Sequence, residues 1–289
     1  MGAADFTWIP AFAGMSGWEG RLGLFVFFVF FVVPLAAPSP KLRRNRERHD
    51  MDGARVTYTA EGIEFVGRLF EPAGSGPAPG VIVAHESPGV TEHTLAAARR
   101  LAGLGFVALA TDYQGGGEVV TDRAEMGRRY AMFMAVPAHI QARLGAALEA
   151  VKAHPRTDAS RLAAVGFCYG GTAVTELART GADLKAVVGF HCGLSTVRPQ
   201  DSAKITGKVL MHIGAQDPTV PAEQRTAFEA DMEAAGVDWR LLVYGRTVHS
   251  FTNPEADSWG MPGFAYSSDS DARAWRATED LMREVGLVG

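Results

Sequence analysis

Five short, almost continuously apolar runs recur along the chain: VIVAH (81–85), FVALA (106–110), LAAVGF (162–167), KAVVGF (185–190) and KVLMHI (208–213). Stretches of helical periodicity separate them. A strand that is apolar throughout is covered on both faces, and strands alternating with helices pair in parallel. The pattern predicts an α/β fold with a mostly parallel central sheet and helices on both faces. Further strands are expected at 55–59, 62–70 and 240–244. Helices are expected at about 92–104, 122–135, 137–153, 170–180, 221–235 and 270–285. The stretch GSGPAPG (74–80) reads as a loop, as does 112–117. No internal repeat is apparent, so residues 51–289 form one domain.

With 47% hydrophobic and 21% charged residues, there is ample material for a core. A net charge of −4 and the lack of a basic, aromatic-interleaved patch after residue 50 argue against nucleic acid as a partner. Two cysteines, Cys168 and Cys192, make no disulfide framework and no metal-binding spacing. No cofactor or metal is expected, and a reducing, cytoplasmic setting fits.

The first 50 residues differ from the rest. Leu22 to Ala37 (LGLFVFFVFFVVPLAA) carries no charge, and five basic residues follow between Lys41 and Arg48. The run is short of the roughly 20 residues of a full span and has a poor signal-peptide flank. Three readings stay open: a start placed upstream of the native one, with Met51 as the true beginning; a membrane anchor with the domain on the cytoplasmic side; or an export signal. Membrane contact is expected only if this segment is genuinely used.

The chemistry gathers around VGFCYGG (165–171). Gly166-x-Cys168-x-Gly170 follows an apolar strand and precedes a helix, which is the nucleophile-elbow pattern with cysteine in the serine's place. The helix N-terminus would favour thiolate, and the N–H of Tyr169 would face a developing oxyanion. A lone cysteine among apolar neighbours is otherwise a small buried hydrophobe. A nucleophile of this kind needs a base, and the base an orienting acid. His212 lies inside a buried strand, whereas His249 sits in the loop GRTVHSF just past a strand. Asp217, in GAQDPTVP, lies just beyond another strand, where an Asp-Pro pair also forms turns. The order is cysteine, acid, histidine, with gaps of 49 and 32 residues.

GFCYGG, GAQDPTVP and HSF together make the chain resemble the dienelactone hydrolase family of α/β hydrolases, over most of 81–251. The resemblance implies an α/β-hydrolase fold and a Cys168–His249–Asp217 triad. It also implies that Glu86, in VIVAHESPGV, pairs with the resting cysteine and helps its activation, and that Ser87 supplies a second oxyanion-hole N–H. Members that cleave dienelactone hold its carboxylate with arginines, one of them four residues after the histidine. Here that place is Asn253. A second arginine would correspond to Arg128 or Arg129, just before Tyr130, so Arg129 and Tyr130 are candidate substrate contacts. Loops 112–120 and 252–267 would shape the pocket, with Trp259, Met261 and Phe264 as lining or equally as core.

The expected activity is hydrolysis of a small-molecule carboxylic ester or lactone through an acyl-enzyme. Two alternatives remain: an esterase or thioesterase acting on other acyl groups, and a catalytically silent binding or thiol-sensing protein of the same fold.

Overall fold

The computed structural model describes residues 53–289. The N-terminal segment, with its three readings, and Met51 lie outside the described residues. Eight strands form a single sheet in the order β1-β2-β4-β3-β5-β6-β7-β8. They span Ala54–Ala60 (β1), Ile63–Phe70 (β2), Ala78–Ala84 (β3), Val107–Thr111 (β4), Thr157–Phe167 (β5), Ala186–Phe190 (β6), Lys208–Gly214 (β7) and Trp239–Tyr244 (β8). β1 and β2 run antiparallel, β2 joins β4 antiparallel, and every other pairing is parallel. Six helices connect them: α1 (Glu92–Gly103), α2 (Arg123–Ala135), α3 (Pro137–Lys152), α4 (Tyr169–Ala178), α5 (Ala222–Ala235) and α6 (Ser268–Glu284).

Alternation along the covered strands splits the core in two. Ile82 and Ala84 of β3 face one layer, with Leu144 of α3, Val174 of α4 and Met232 of α5. Val81 and Val83 face the other, with Leu101 of α1 and Trp275 and Met282 of α6. Successive side chains on a strand point to opposite faces, so an all-apolar strand feeds both layers. β3, β4 and β6 are buried along their whole length.

Two boundaries differ from the sequence expectation by more than two residues. β3 begins at Ala78, inside the glycine- and proline-rich stretch assigned to a loop, and β5 begins at Thr157 rather than 162. The extensions pair with each other, Ala78 opposite Thr157 and Pro79 opposite Asp158, before the register shifts at Gly80. Residues 157–161 are polar except for Ala159, and at least partly exposed, so backbone pairing rather than apolar burial defines this end of the strand. α2 is the least buried helix, with Phe133 alone fully covered. Among the described residues no helix is long and apolar enough to cross a membrane.

Candidate active site

The parallel strands bring their carboxyl ends to one edge, where ligand sites of such sheets lie. Cys168 sits there, between the last residue of β5 and the first of α4. Its backbone has φ 51° and ψ −125°, a region that non-glycine residues rarely adopt. The turn is possible because the residues two places to either side, Gly166 and Gly170, carry no side chain. A Cβ on Gly166 would lie 2.1 Å from the Gly170 carbonyl oxygen, and one on Gly170 would lie 2.3 Å from that of Ala84. Such crowding holds the cysteine in a strained conformation that a looser turn would relax. Cys168 N–H donates to the Phe190 carbonyl at 2.9 Å, locking the turn to β6.

His249 Nε2 lies 3.2 Å from Cys168 Sγ, and its Nδ1 lies 2.7 Å from Asp217 Oδ2. Asp217 follows β7, and its other oxygen accepts from the N–H and hydroxyl of Thr219 at 2.8 and 2.7 Å. The Thr219 hydroxyl oxygen is also 3.1 Å from His249 Nδ1. His249 is itself held by a backbone bridge: its N–H donates to Gly263 O at 2.9 Å, and its carbonyl accepts from Ala265 at 3.2 Å. Burial disfavours the imidazolium, but negative charge on Cys168 and Asp217 outweighs that and raises the His249 pKa well above its usual value. For Asp217, burial raises the pKa, while the imidazole and Thr219 together bring it below the ordinary carboxylate range.

Glu86, at the end of β3, is buried but makes no hydrogen bond to Cys168 among the described residues. Its Oε2 accepts from Asn253 Nδ2 at 2.6 Å and lies 3.2 Å from His93 Nδ1, while Oε1 accepts from the Ser250 hydroxyl at 3.2 Å. The physical reason is competition. A buried carboxylate is better satisfied by an amide and a hydroxyl, with an imidazole close by, than by a thiol already facing His249. Burial works against its charge, but His93, His191 and the Asn253 amide hold the carboxyl at about 2. The position where the resemblance expects an arginine is thus turned inward, onto Glu86.

Tyr169 opens α4, so its N–H has no acceptor within the helix. Ser87 follows Glu86, and its carbonyl accepts from Gln114 Nε2 at 2.5 Å. Arg129 and Tyr130 both line a small hollow with Ser87 and Tyr169. The Arg129 guanidinium, however, is engaged by Glu125 and Gln114, at 2.7 and 3.1 Å. Arg128 is more exposed and pairs with the same Glu125. Phe264 meets the His249 ring edge-on with centroids 4.8 Å apart, and Trp259 packs on Phe264. Neither these two nor Met261 belongs to the buried core.

Sequence reasoning missed Thr219, His93, Ser250 and Gln114. Thr219 had a signal, since a threonine two residues after an aspartate commonly closes a local turn onto it. His93 and Gln114 touch the site only through contacts distant in sequence, and Ser250, although next to His249, meets Glu86 164 residues away. A wider hollow of about 540 Å³ lies at the other end of α4, lined by residues of α3 and of the turn 180–182, away from Cys168. Among the described residues no group of three or more His, Cys, Asp or Glu is placed to hold a metal ion.

The family model described as "Dienelactone hydrolase family" matches residues 65–286, most of the chain and all of this site. The chain belongs to the dienelactone hydrolase family. This dienelactone hydrolase family member therefore has the α/β-hydrolase fold, and the solved structures agree. It is 42% identical to m3DLH, with a TM-score of 0.78 over 80% of this chain and 97% of that one. It is 41% identical to P91, described as a dienelactone hydrolase-like promiscuous phosphotriesterase from metagenomic libraries, with a TM-score of 0.77 over 82% and 98% of the two chains. A Methylorubrum extorquens protein, provisionally named carboxymethylenebutenolidase, is 29% identical over 227 residues, or 75% of this chain and 76% of its own.

Proposed function

We propose that this family member hydrolyses carboxylic esters or lactones through Cys168, in the cytoplasm, by way of an acyl-enzyme. One observation carries the reading: His249 lies within hydrogen-bonding distance of both Cys168 Sγ and Asp217, at 3.2 and 2.7 Å. His249 Nε2 takes the Sγ proton, and the thiolate attacks the substrate carbonyl carbon. The resulting oxyanion rests on the N–H groups of Tyr169 and Ser87. The C–O bond to the leaving group breaks, that oxygen takes the proton from His249, and a thioester on Cys168 remains. Water then gives a proton to His249 and attacks the thioester, releasing the acid and restoring the thiol. Asp217 keeps the imidazole oriented throughout, with Thr219 as its second anchor. Glu86 assists from outside the reacting atoms by clamping Ser250 and Asn253, which follow His249, to the loop that carries Ser87.

The test is hydrolysis of 4-nitrophenyl acetate by the full chain beside a Cys168→Ala variant. Turnover that falls to background in the variant is the expected result. Activity unchanged by the substitution excludes Cys168 as nucleophile. Because P91 is described as a promiscuous phosphotriesterase and is 41% identical, an uncharged phosphotriester is the second substrate to offer.

A further inference from the structure

His191, just past β6, is a buried ionisable group that the reaction above does not use. Its backbone has φ 39°. Among the described residues five non-glycines have a left-handed φ of this kind, and three of them are Cys168, His191 and Ser250, the residue after His249. Such strain persists only where the surroundings fix it, and it gathers at functional sites. The His191 N–H donates to the His212 carbonyl at 2.7 Å. Its ring meets that of His249 with centroids 5.2 Å apart and planes at 69°. Phe264 meets the same imidazole at 4.8 Å and 68°. Asp217 therefore fixes one nitrogen of His249, while two edge-on rings confine its plane.

A buried histidine with a purely structural place has both nitrogens paired, as His212 does with Tyr244 and Thr278 at 2.9 and 3.0 Å. His191 differs. Its Nε2 lies 2.8 Å from the Thr252 hydroxyl, whereas its Nδ1 is buried without a hydrogen-bond partner. A phenyl ring would fill the same space without burying an unpaired nitrogen, so packing alone does not account for a histidine here. The Thr252 hydroxyl is also 3.1 Å from Nε2 of His93, on α1, and His93 Nδ1 is 3.2 Å from Glu86 Oε2. The carboxylate draws the His93 proton to Nδ1. His93 Nε2 then accepts from the Thr252 hydroxyl, and that oxygen accepts from His191 Nε2–H. The nitrogen left bare, His191 Nδ1, is thus an acceptor and not a buried donor. Burial first, then the charge on His249, brings the His191 pKa down to about 3, so no second cation stands beside the His249 imidazolium.

We propose that His191 is a positioning residue of the Cys168 reaction: Thr252, backed by His93 and Glu86, fixes its ring, and the ring holds His249 in the orientation that faces Cys168. The proposal rests on the Cys168 ester-hydrolase reading above.

The experiment measures 4-nitrophenyl acetate hydrolysis by the full chain and its Thr252→Val, Thr252→Ser, His191→Ala and His191→Ala/Thr252→Val variants. Cys168→Ala is the reference, and a urea midpoint is taken for each protein. Thr252→Val is expected to lower kcat about 10-fold and His191→Ala up to about 10²-fold, both with KM within about 2-fold of wild type. Thr252→Ser, which keeps the hydroxyl, is expected to restore kcat. The double variant is expected to be no slower than His191→Ala, because Thr252 acts through His191. Should His191→Ala not fold, His191→Phe, which keeps an unanchored ring, replaces it, with a loss like that of Thr252→Val. A lowered urea midpoint with wild-type kcat in the Thr252→Val and His191 variants overturns the proposal, since the chain then serves the fold alone. So does a Thr252→Ser protein as slow as Thr252→Val, and so do losses that multiply in the double variant. With Cys168→Ala at background, those outcomes strike only the positioning role. A Cys168→Ala protein that turns over as wild type does removes the ester-hydrolase reading and this proposal together.

Discussion

Asn253 gives its side-chain amide to the Glu86 carboxylate at 2.6 Å, and neither residue is more than 4% exposed. The bond joins the loop after β3 to the loop that carries His249, the two segments that must stay in register for the site to exist. Removing the amide leaves a buried carboxylate short of a partner, at a cost of about 1–3 kcal/mol. Asn253→Ala is therefore expected to lower the urea midpoint with the m-value unchanged, and to reduce ester turnover as the His249 loop loosens. Equal midpoints for the two proteins would dismiss the clamp.

The same carboxylate makes an acid-stability prediction. Its folded-state pKa of about 2 lies below the ordinary value of 4.5. A depressed carboxylate contributes stability that is present above 4.5 and is lost as pH falls through about 2. Denaturation of wild type and Glu86→Gln at several pH values should show their stability difference constant above 4.5 and shrinking between 4.5 and 2. A difference that grows on acidification would mean the carboxyl is not held in its charged form.

Asp217 and Thr219 both hold His249, but only Asp217 brings charge. Asp217→Asn is expected to reduce kcat by roughly 10²–10⁴, the scale seen when an orienting acid of this kind is neutralised. Thr219→Val removes one hydroxyl and should cost about 10-fold or less. Steady-state kinetics on 4-nitrophenyl acetate separates the two. Similar losses in both variants would argue that geometry, not charge, is the contribution of Asp217.

The two thiols have opposite surroundings. Cys168 is partly exposed beside an imidazole, while Cys192 is fully buried, and burial pushes its thiol far up. Iodoacetamide on the folded protein should modify one residue, Cys168, with loss of activity in step; Cys192 should react only after unfolding. Mass spectrometry of peptides reads this directly. Modification of Cys192 in the native state would contradict the packing around it.

Gly166 meets the carbonyl of Gly170 at a distance no Cβ tolerates. Both atoms are backbone, so neither can swing aside. Gly166→Ala is expected to cost about 4 kcal/mol or more, or to prevent soluble expression. Near-wild-type melting of that variant would show that the turn at Cys168 is looser than its backbone contacts imply.

What the chain alone determined is the part of the protein built from local pattern. Covered parallel strands are apolar on both faces, so the α/β sandwich and nearly every helix were legible, and boundaries slipped only where backbone pairing continued through the polar stretch 157–161. The tight strand-to-helix turn at Cys168 was legible as well, since glycines at 166 and 170 are demanded by close backbone approach. Tertiary structure decided the partners. Glu86 and Asn253 are 167 residues apart, and Arg129 reaches Ser87 only through Gln114. No periodicity records such a contact. A buried carboxylate takes whichever donors the packed chain brings nearest, and that choice exists only once the sheet has placed its strand ends together.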